Sequence, residues 1–276
     1  MIEKVIHMAD IHIPNDVSDR PYSEMVKVLM SSVLKEVKKC SSPSNARIVV
    51  VGDVFHQKIR TTNEARQVFH EMLNFMDAIC PSIIVAGNHD MLENNMDRTD
   101  SISPTFEING AYENVTFIDK SLDYKSGYVV DDGVVWVLFS MFDRFAKPNI
   151  DGLRDEYPEH KFVGLYHGDY AGAVTDIGRM SDSGVDPSYF EGLDCVMAGH
   201  IHKHQMIKKG GVPLVYAGSV FQRDAGENIS GHGFVVWDIA TMKYKLKEVP
   251  NKYRTIRFSI DSYDDVSNDC EQVMNL

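Results

Sequence analysis

Three short, almost wholly apolar runs, residues 5–8, 48–51 and 83–86, are each separated from the next by one amphipathic stretch. Runs of this kind read as buried strands rather than as strands with one face in water. Between them, residues 22–39 place Met25, Leu29, Val33 and Val37 about one helical turn apart. Residues 62–79 do the same with Ala65, Val68, Phe69, Met72, Phe75, Met76 and Ile79. Strands alternating with amphipathic helices predict layered α/β architecture. The apolar face of 62–79 is unusually wide, which fits core packing and leaves room for a partner surface.

From residue 115 onward the pattern turns to strands. Residues 115–118, 127–130 and 134–140 qualify, the last two flanking Asp131-Asp132-Gly133, a hairpin-turn signal. Residues 162–166 and 195–198 are further buried strands. Residues 205–208 and 212–216 form a hairpin around Lys209-Gly210-Gly211, and 234–238 with 244–249 form another. A run at 255–260, after Pro250, precedes an acidic polar end at 261–269. The 276 residues therefore divide into a main domain, 1–250, and a short C-terminal segment, 251–276.

Apolar residues at 43% and charged residues at 25% exclude a mainly disordered or fibrous chain. No apolar run approaches the ~18 residues needed to cross a bilayer. Met1-Ile2-Glu3-Lys4 leads into the first strand without a signal-peptide pattern. Cys40, Cys80, Cys195 and Cys270 lie far apart with no CxxC pair, which argues against a zinc ribbon or a disulfide framework. A reducing compartment is expected: the cytoplasm of a bacterial or phage-infected cell, or a eukaryotic nucleus. The Asn-x-Ser/Thr matches at Asn114 and Asn228 are then accidental. With 28 basic and 40 acidic residues the formal charge is −12, so a polyanion must be met locally, and no membrane partner is expected.

Five polar clusters fall just past predicted strand ends: Asp10-Ile11-His12, Gly52-Asp53-Val54-Phe55-His56, Gly87-Asn88-His89-Asp90, His167-Gly168 and Gly199-His200-Ile201-His202. Strand ends are where open α/β sheets gather ligand-binding loops. Each cluster alone is an ordinary loop, in which Asp53 caps a helix or Asn88 makes a turn. Five in order, each offering oxygen or imidazole, point to one shared site. Imidazole suits manganese, iron and zinc, whereas carboxylate and amide oxygens suit manganese and magnesium, so the mixed, thiolate-free set selects a pair of divalent ions. Two ions about 3.5 to 4 Å apart need a bridging carboxylate and can activate a water while clamping a phosphate. Asp53 is the natural bridge.

The ordered signature DxH, GDxxx, GNHD, GH and GHxH, matched in full between residues 10 and 202, resembles that of the calcineurin-like metallophosphoesterases. The resemblance implies an α/β fold, a two-sheet α-β-β-α sandwich with the start of a small C-terminal cap. It implies that Asp10, His12, Asp53 and His202 bind one ion, that Asp53, Asn88, His167 and His200 bind the other, and that His89 protonates the leaving oxygen. Asp90 is expected to support that loop or to cap a helix. Phosphoprotein phosphatases of this group carry Asp three residues after the bridging Asp, followed by Arg-Gly, whereas here His56 is followed by Gln57-Lys58. His56, with Tyr216-Ala217-Gly218-Ser219 and the run Arg223-Asp224-Ala225-Gly226-Glu227-Asn228, is similar to the SbcD and meiotic-recombination-eleven nuclease branch, phage recombination endonuclease subunits included.

That branch implies a 3′-to-5′ DNA exonuclease and endonuclease of end processing, recombination and repair. It implies two Mn2+ ions, with Mg2+ or another divalent metal as substitutes, homodimerisation through helices, here 62–79, and an SbcC-type ABC ATPase partner. His56 would then seat a DNA strand, or else merely pack at the helix start. No Gly-x-x-x-x-Gly-Lys run occurs, so ATP dependence would come from another subunit. The run at 255–260 resembles the start of a cap, minimal or truncated. Two ions bring roughly +4 against Asp10 and Asp53, which draws a phosphodiester in despite the overall charge. Lys58, Arg60, Lys203, Lys208, Lys209 and Arg223 are candidates to line the approach, with solvated surface cations as the plain alternative. Two other functions compete: hydrolysis of a small phosphodiester, and a non-catalytic scaffold of the same fold. The intact ligands and His89 argue against the scaffold.

Overall fold

A computed structural model describes residues 1–16, 21–95, 97–109, 112–143, 146–208 and 211–256. In chain order its strands are β1 (Lys4–Met8), β2 (Ala46–Val51), β3 (Ser82–Val85), β4 (Val115–Phe117), β5 (Gly127–Asp131), β6 (Val134–Phe139), β7 (Lys161–His167), β8 (Cys195–Gly199), β9 (Gln205–Ile207), β10 (Leu214–Tyr216), β11 (Gly233–Asp238) and β12 (Lys243–Glu248). They form two six-stranded sheets, ordered β12-β11-β1-β2-β3-β4 and β5-β6-β7-β8-β10-β9. The helices α1 (Tyr22–Val37) and α2 (Asn63–Ile79) fall where the 3.6-residue periodicity predicts them.

Alternation along the strands builds the layers. Ile6, Met8, Ile48 and Val50 pack beneath α1 and α2, whereas Val5, Val49 and Val51 meet Trp136, Leu138 and Val163 of the second sheet. The outer face of that sheet, with Val135, Val137 and Phe162, is covered by a short helix, Ile150–Glu156, and a 3-10 turn, Pro187–Phe190. The architecture is the α-β-β-α sandwich, with a thin second helical layer. Each buried Leu, Val or Phe contributes about 1.5 to 3 kcal/mol relative to exposure. The Asp132-Gly133 turn between β5 and β6 has φ of 43° and 90°, the positive pair that a two-residue hairpin loop needs.

The wide face of α2 is mostly core. Thr62 caps its start by accepting from the Ala65 amide, and the chain turns extended at Cys80 before Pro81. Phe69 is fully buried and meets Phe55 edge-on at 5.0 Å, while Phe75 stays 38% exposed. Phe69 is thus unavailable to a partner. The hairpin of β9 and β10 forms, although Lys209 and Gly210 of its turn lie outside the described residues. The strand expected at 255–260 lies outside them from 257 onward, and Thr255 and Ile256 carry no regular structure. Among the described residues no helix is long and apolar enough to cross a membrane.

What positions the site is strand direction. β1, β2 and β3 run parallel in one sheet, and β7, β8 and β10 run parallel in the other. Their carboxyl ends share one edge, where His167 at the end of β7 reaches the Val51 carbonyl and Ala9 pairs with Ser219.

Candidate metal centre

Each loop at this edge is held by its neighbours. The Asp10 amide donates to the Gly52 carbonyl at 3.1 Å and the His12 amide to the Asp53 carbonyl at 2.9 Å, which locks the loop after β1 to the loop after β2. Asp10, His12, Asp53 and His200 have φ of 52°, 50°, 53° and 100°. Non-glycine residues enter this left-handed region only where surrounding structure over-determines them, as at ligand sites. Gly87 permits a close approach, since a Cβ there would stand 2.2 Å from Asp53 Oδ1.

The donor atoms converge in three groups, two of them joined by Asp53 and the third made by His12, His56 and His89. Asp10, His12 and His202 offer atoms within 4.8 Å of one another, and so do Asp53, His167 and His200. Asp53 divides its oxygens between these two groups, with Oδ1 3.3 Å from His167 Nε2 and Oδ2 3.5 Å from His12 Nε2. Asn88 Oδ1 sits 3.2 Å from His167 Nε2 and 3.0 Å from His200 Nδ1, and the Nε2 atoms of His12 and His202 face each other at 3.0 Å. All seven residues expected to bind metal therefore meet at one place.

Second partners fix the rings. His167 Nδ1 donates to the Val51 carbonyl at 2.9 Å, because a carbonyl only accepts, and its Nε2 is left to the cluster. His202 Nδ1 lies 2.6 Å from Glu227 Oε1, which likewise turns Nε2 inward. Convergent imidazole, carboxylate and amide donors fit two divalent ions of the manganese, iron, zinc or magnesium class. Cys80 and Cys195 are buried in the apolar cores, and no cysteine among the described residues joins the ligand groups.

Electrostatics agree with a cation-seeking cluster. Burial, reinforced by Asp53, raises the Asp10 carboxyl to about 6. Burial also opposes an ionised Asp53, but His167, His12 and the His89 amide outweigh it and hold Asp53 well below the ordinary carboxylate range. For His167 burial favours the neutral ring, yet Asp53 and Asp10 overcome this and lift it to about 9. Burial pushes His12 down, and it pushes His200 down to about 4 with help from His167.

The three residues expected to be catalytic part company. His89 donates from Nδ1 to the His56 carbonyl at 2.6 Å, so Nε2 is its free nitrogen, and its ring meets His12 edge-on at 4.8 Å. His56 stacks on His89 at 5.7 Å and 14°, and its Nε2 accepts from Arg223 at 3.2 Å. Asp90 is turned to backbone amides. Its fully buried carboxylate is spent on the amides of Val54, Phe55 and Gly87, at 3.1, 2.9 and 2.9 Å, so it positions both loops and does no chemistry.

Sequence reasoning gave Glu227 no role, although a ring nitrogen turned away from a metal always calls for an acceptor. It also missed Asp119, which takes the Ala86 amide at 2.9 Å and the Ser140 hydroxyl at 2.6 Å behind the Asn88 loop. Of the cations expected near the site, Arg223 reaches it through His56, whereas Lys58 pairs with Glu93 at 3.0 Å.

The family profile of the calcineurin-like phosphoesterase superfamily domain matches residues 3–242. A curated relative, uncharacterized protein R555 of Acanthamoeba polyphaga mimivirus, is 29% identical over 256 residues. That alignment takes in 91% of this chain but only 18% of the relative's length. Among solved structures, phosphopantetheinyl hydrolase from Mycobacterium tuberculosis aligns at a TM-score of 0.41 and 15% identity, covering 78% of this chain and 88% of that one.

Proposed function

We propose, from the premise that the chain belongs to the calcineurin-like phosphoesterase superfamily, that this metal-dependent phosphoester hydrolase is a manganese-dependent DNA nuclease of end processing, recombination and repair. One observation supports the DNA reading above the rest. Two of the segments that resemble the nuclease branch, His56 and the run 223–228, lie far apart in sequence yet meet at the metal edge. There Arg223 bonds His56 at 3.2 Å and Glu227 holds His202 at 2.6 Å.

Ions bound by these ligands would polarise a phosphate and activate a water. The chain's own contribution is positional and acid-base. Asp53 spans two of the ligand groups, Asn88 and His200 complete one of them, and His89, in the doubly protonated form that keeps Nδ1–H on the His56 carbonyl, gives its Nε2 proton to the departing oxygen and is left neutral. Arg223 brings a fixed cation beside His56, where the phosphate next to the scissile one would pass. A homodimer through the exposed part of α2 and an SbcC-type ABC ATPase subunit complete the proposed assembly, since this sequence has no phosphate-binding loop of its own.

A second reading, hydrolysis of a small phosphodiester, is favoured by a cavity of about 550 Å³ beside His167, lined by Phe139, Tyr166, Val185 and Tyr189 among others. That volume suits a small organic group. The deciding assay offers end-labelled duplex DNA, single-stranded DNA and p-nitrophenyl phosphodiesters side by side, with manganese. Nucleotide release from DNA carries the first reading. Turnover confined to the small diesters carries the second.

A further inference from the structure

After Met1, the most exposed large apolar side chains among the described residues are Ile177 at 76%, Met180 at 59% and Ile59 at 54%. Ile177 stands beside the metal cluster, in a cleft it shares with His200 and His202. Ile59 follows His56, and Ile177 and Met180 stand on the excursion that leaves the site after His167-Gly168. Single exposed apolar residues are ordinary, but two on one short hairpin whose tip lines a cleft of the candidate site are not.

The excursion is rigid where it carries them. Val174 and Met180 pair antiparallel, the Thr175 amide donates to the Arg179 carbonyl at 2.9 Å, and the Gly178 amide donates to the Thr175 carbonyl at 2.9 Å. Residues 174–180 are therefore a tight hairpin with Asp176-Ile177-Gly178 at its tip. Gln205 clamps the base as a strand would, donating to the Val174 carbonyl at 2.7 Å and accepting from the Val174 amide at 2.9 Å. Asn228 Nδ2 clamps the tip by donating to Asp176 Oδ1 at 2.7 Å. Ile177 shares one cleft with His200, His202 and Glu227.

Asp53, His12 and His167 are almost completely buried, and a deep-set site favours a strand drawn away from its complement over an intact duplex. Apolar side chains inserted at a base step unstack it. Arg179, on the same hairpin and exposed, and Arg223, across the cleft, suit the phosphates on either side. The geometry points to Ile177, with Met180 beside it, as a wedge that enters the terminal base stack of duplex DNA and parts the strand to be cut from its complement. This inference rests on the nuclease reading above.

The test compares Ile177→Ser, Ile177→Leu and the parent protein, all with manganese, on a blunt duplex, the same duplex with an unpaired end, the single strand, and bis-p-nitrophenyl phosphate. Ile177→Ser is expected to slow release from the blunt end roughly tenfold. The unpaired end restores the rate, the single strand and the small diester stay within about twofold, and Ile177→Leu behaves as the parent. An unchanged blunt-end rate, or an equal fall on single strands, overturns the wedge while leaving the nuclease reading intact. A parent protein that turns over the diester but cuts none of the three DNAs removes both. If Ile177→Ser instead loses cosedimentation with anionic phospholipid vesicles while cutting duplex normally, the tip meets a membrane and the wedge is wrong.

Discussion

Glu227 Oε1 lies 2.6 Å from His202 Nδ1, on the side of the ring that faces away from the metal cluster. Its other oxygen takes the Ser219 hydroxyl at 3.2 Å and the Arg223 amide at 2.9 Å. Burial opposes ionisation of Glu227, but the bonds to His202 and to the Arg223 amide prevail and hold its carboxyl below the ordinary range. A charged acceptor behind a ligand ring fixes its tautomer and strengthens it as a donor to metal. Glu227→Ala is therefore expected to weaken manganese binding roughly 10- to 100-fold, with Glu227→Gln in between. Calorimetric metal titration, with circular dichroism to check the fold, decides this, and affinity equal to the parent's would refute the role.

The free Nε2 of His89 separates chemistry from binding. His89→Asn is expected to keep both ions and lose about 10²- to 10⁴-fold in rate, the usual contribution of a general acid. His200→Ala removes a ring nitrogen 3.0 Å from Asn88 Oδ1 and is expected to lose an ion. Metal content by mass spectrometry alongside the rates distinguishes them. Equal metal loss in the two variants would make His89 a ligand.

The strand ends were legible because parallel buried strands need apolar runs, and the polar residue that follows such a run is conspicuous. Asp10, His12, Asp53, Asn88, His167, His200 and His202 could all be found this way. Side-chain direction could not. Asp90 is readable as a support of its own loop, but nothing in residue type says that its carboxylate also takes the Val54 and Phe55 amides of the neighbouring loop. Glu227 and Asp119 act across 25 and 33 residues, pairings that only the packed sheets create. The breadth of the apolar face on α2 was readable, but what covers it was not, since Phe69 is buried by Phe55 of a loop distant in sequence.

Asp119 gives a pH dependence with a definite sign. Complete burial raises its carboxyl from 3.8 to about 6, although the Ser140 hydroxyl and Ala86 amide pull the other way. The folded state thus holds an extra proton between about pH 4 and 6, so this group's contribution to stability falls as pH rises through that window. Asp119→Asn keeps an acceptor for the Ala86 amide and does not titrate. Relative to the parent, its unfolding free energy is expected to improve by about 1 to 3 kcal/mol between pH 4 and pH 7.5. Urea denaturation in chelator at both pH values measures this, and a difference independent of pH would contradict it.

Phe69 and Phe75 stand on one helix with opposite expected outcomes. Phe69→Ala removes a fully buried ring and is expected to cost about 3 to 5 kcal/mol, loosening Phe55 and the loop that carries Asp53 and His56. Phe75→Glu alters an exposed position and is expected to fold with near-parent stability, within about 0.5 kcal/mol. If α2 pairs two copies as proposed, Phe75→Glu also shifts the protein to a monomer in sedimentation. A folded Phe75→Glu variant that remains dimeric would place the dimer contact elsewhere.

If the protein acts on DNA as proposed, His56 is the residue that separates internal cutting from trimming of an end. Arginine has only donors, so the 3.2 Å contact from Arg223 makes His56 Nε2 an acceptor and leaves the ring proton on Nδ1. Nδ1 is buried with no hydrogen-bond partner among the described residues. Burial and the Arg223 charge push this ring down to about 4, so it is neutral at neutral pH and Nδ1 stays protonated. A buried, unsatisfied donor is costly unless a ligand satisfies it, and a DNA oxygen passing between His56 and His89 would do so. Exonuclease action must re-seat a new terminus after every step, whereas a single internal cut seats its strand once. His56→Ser is therefore expected to slow exonuclease release by roughly 10- to 100-fold while leaving metal content and the endonuclease rate near the parent's. A parallel fall in both activities with normal metal would assign the ring to the chemical step. No change in either would leave His56 as a packing residue.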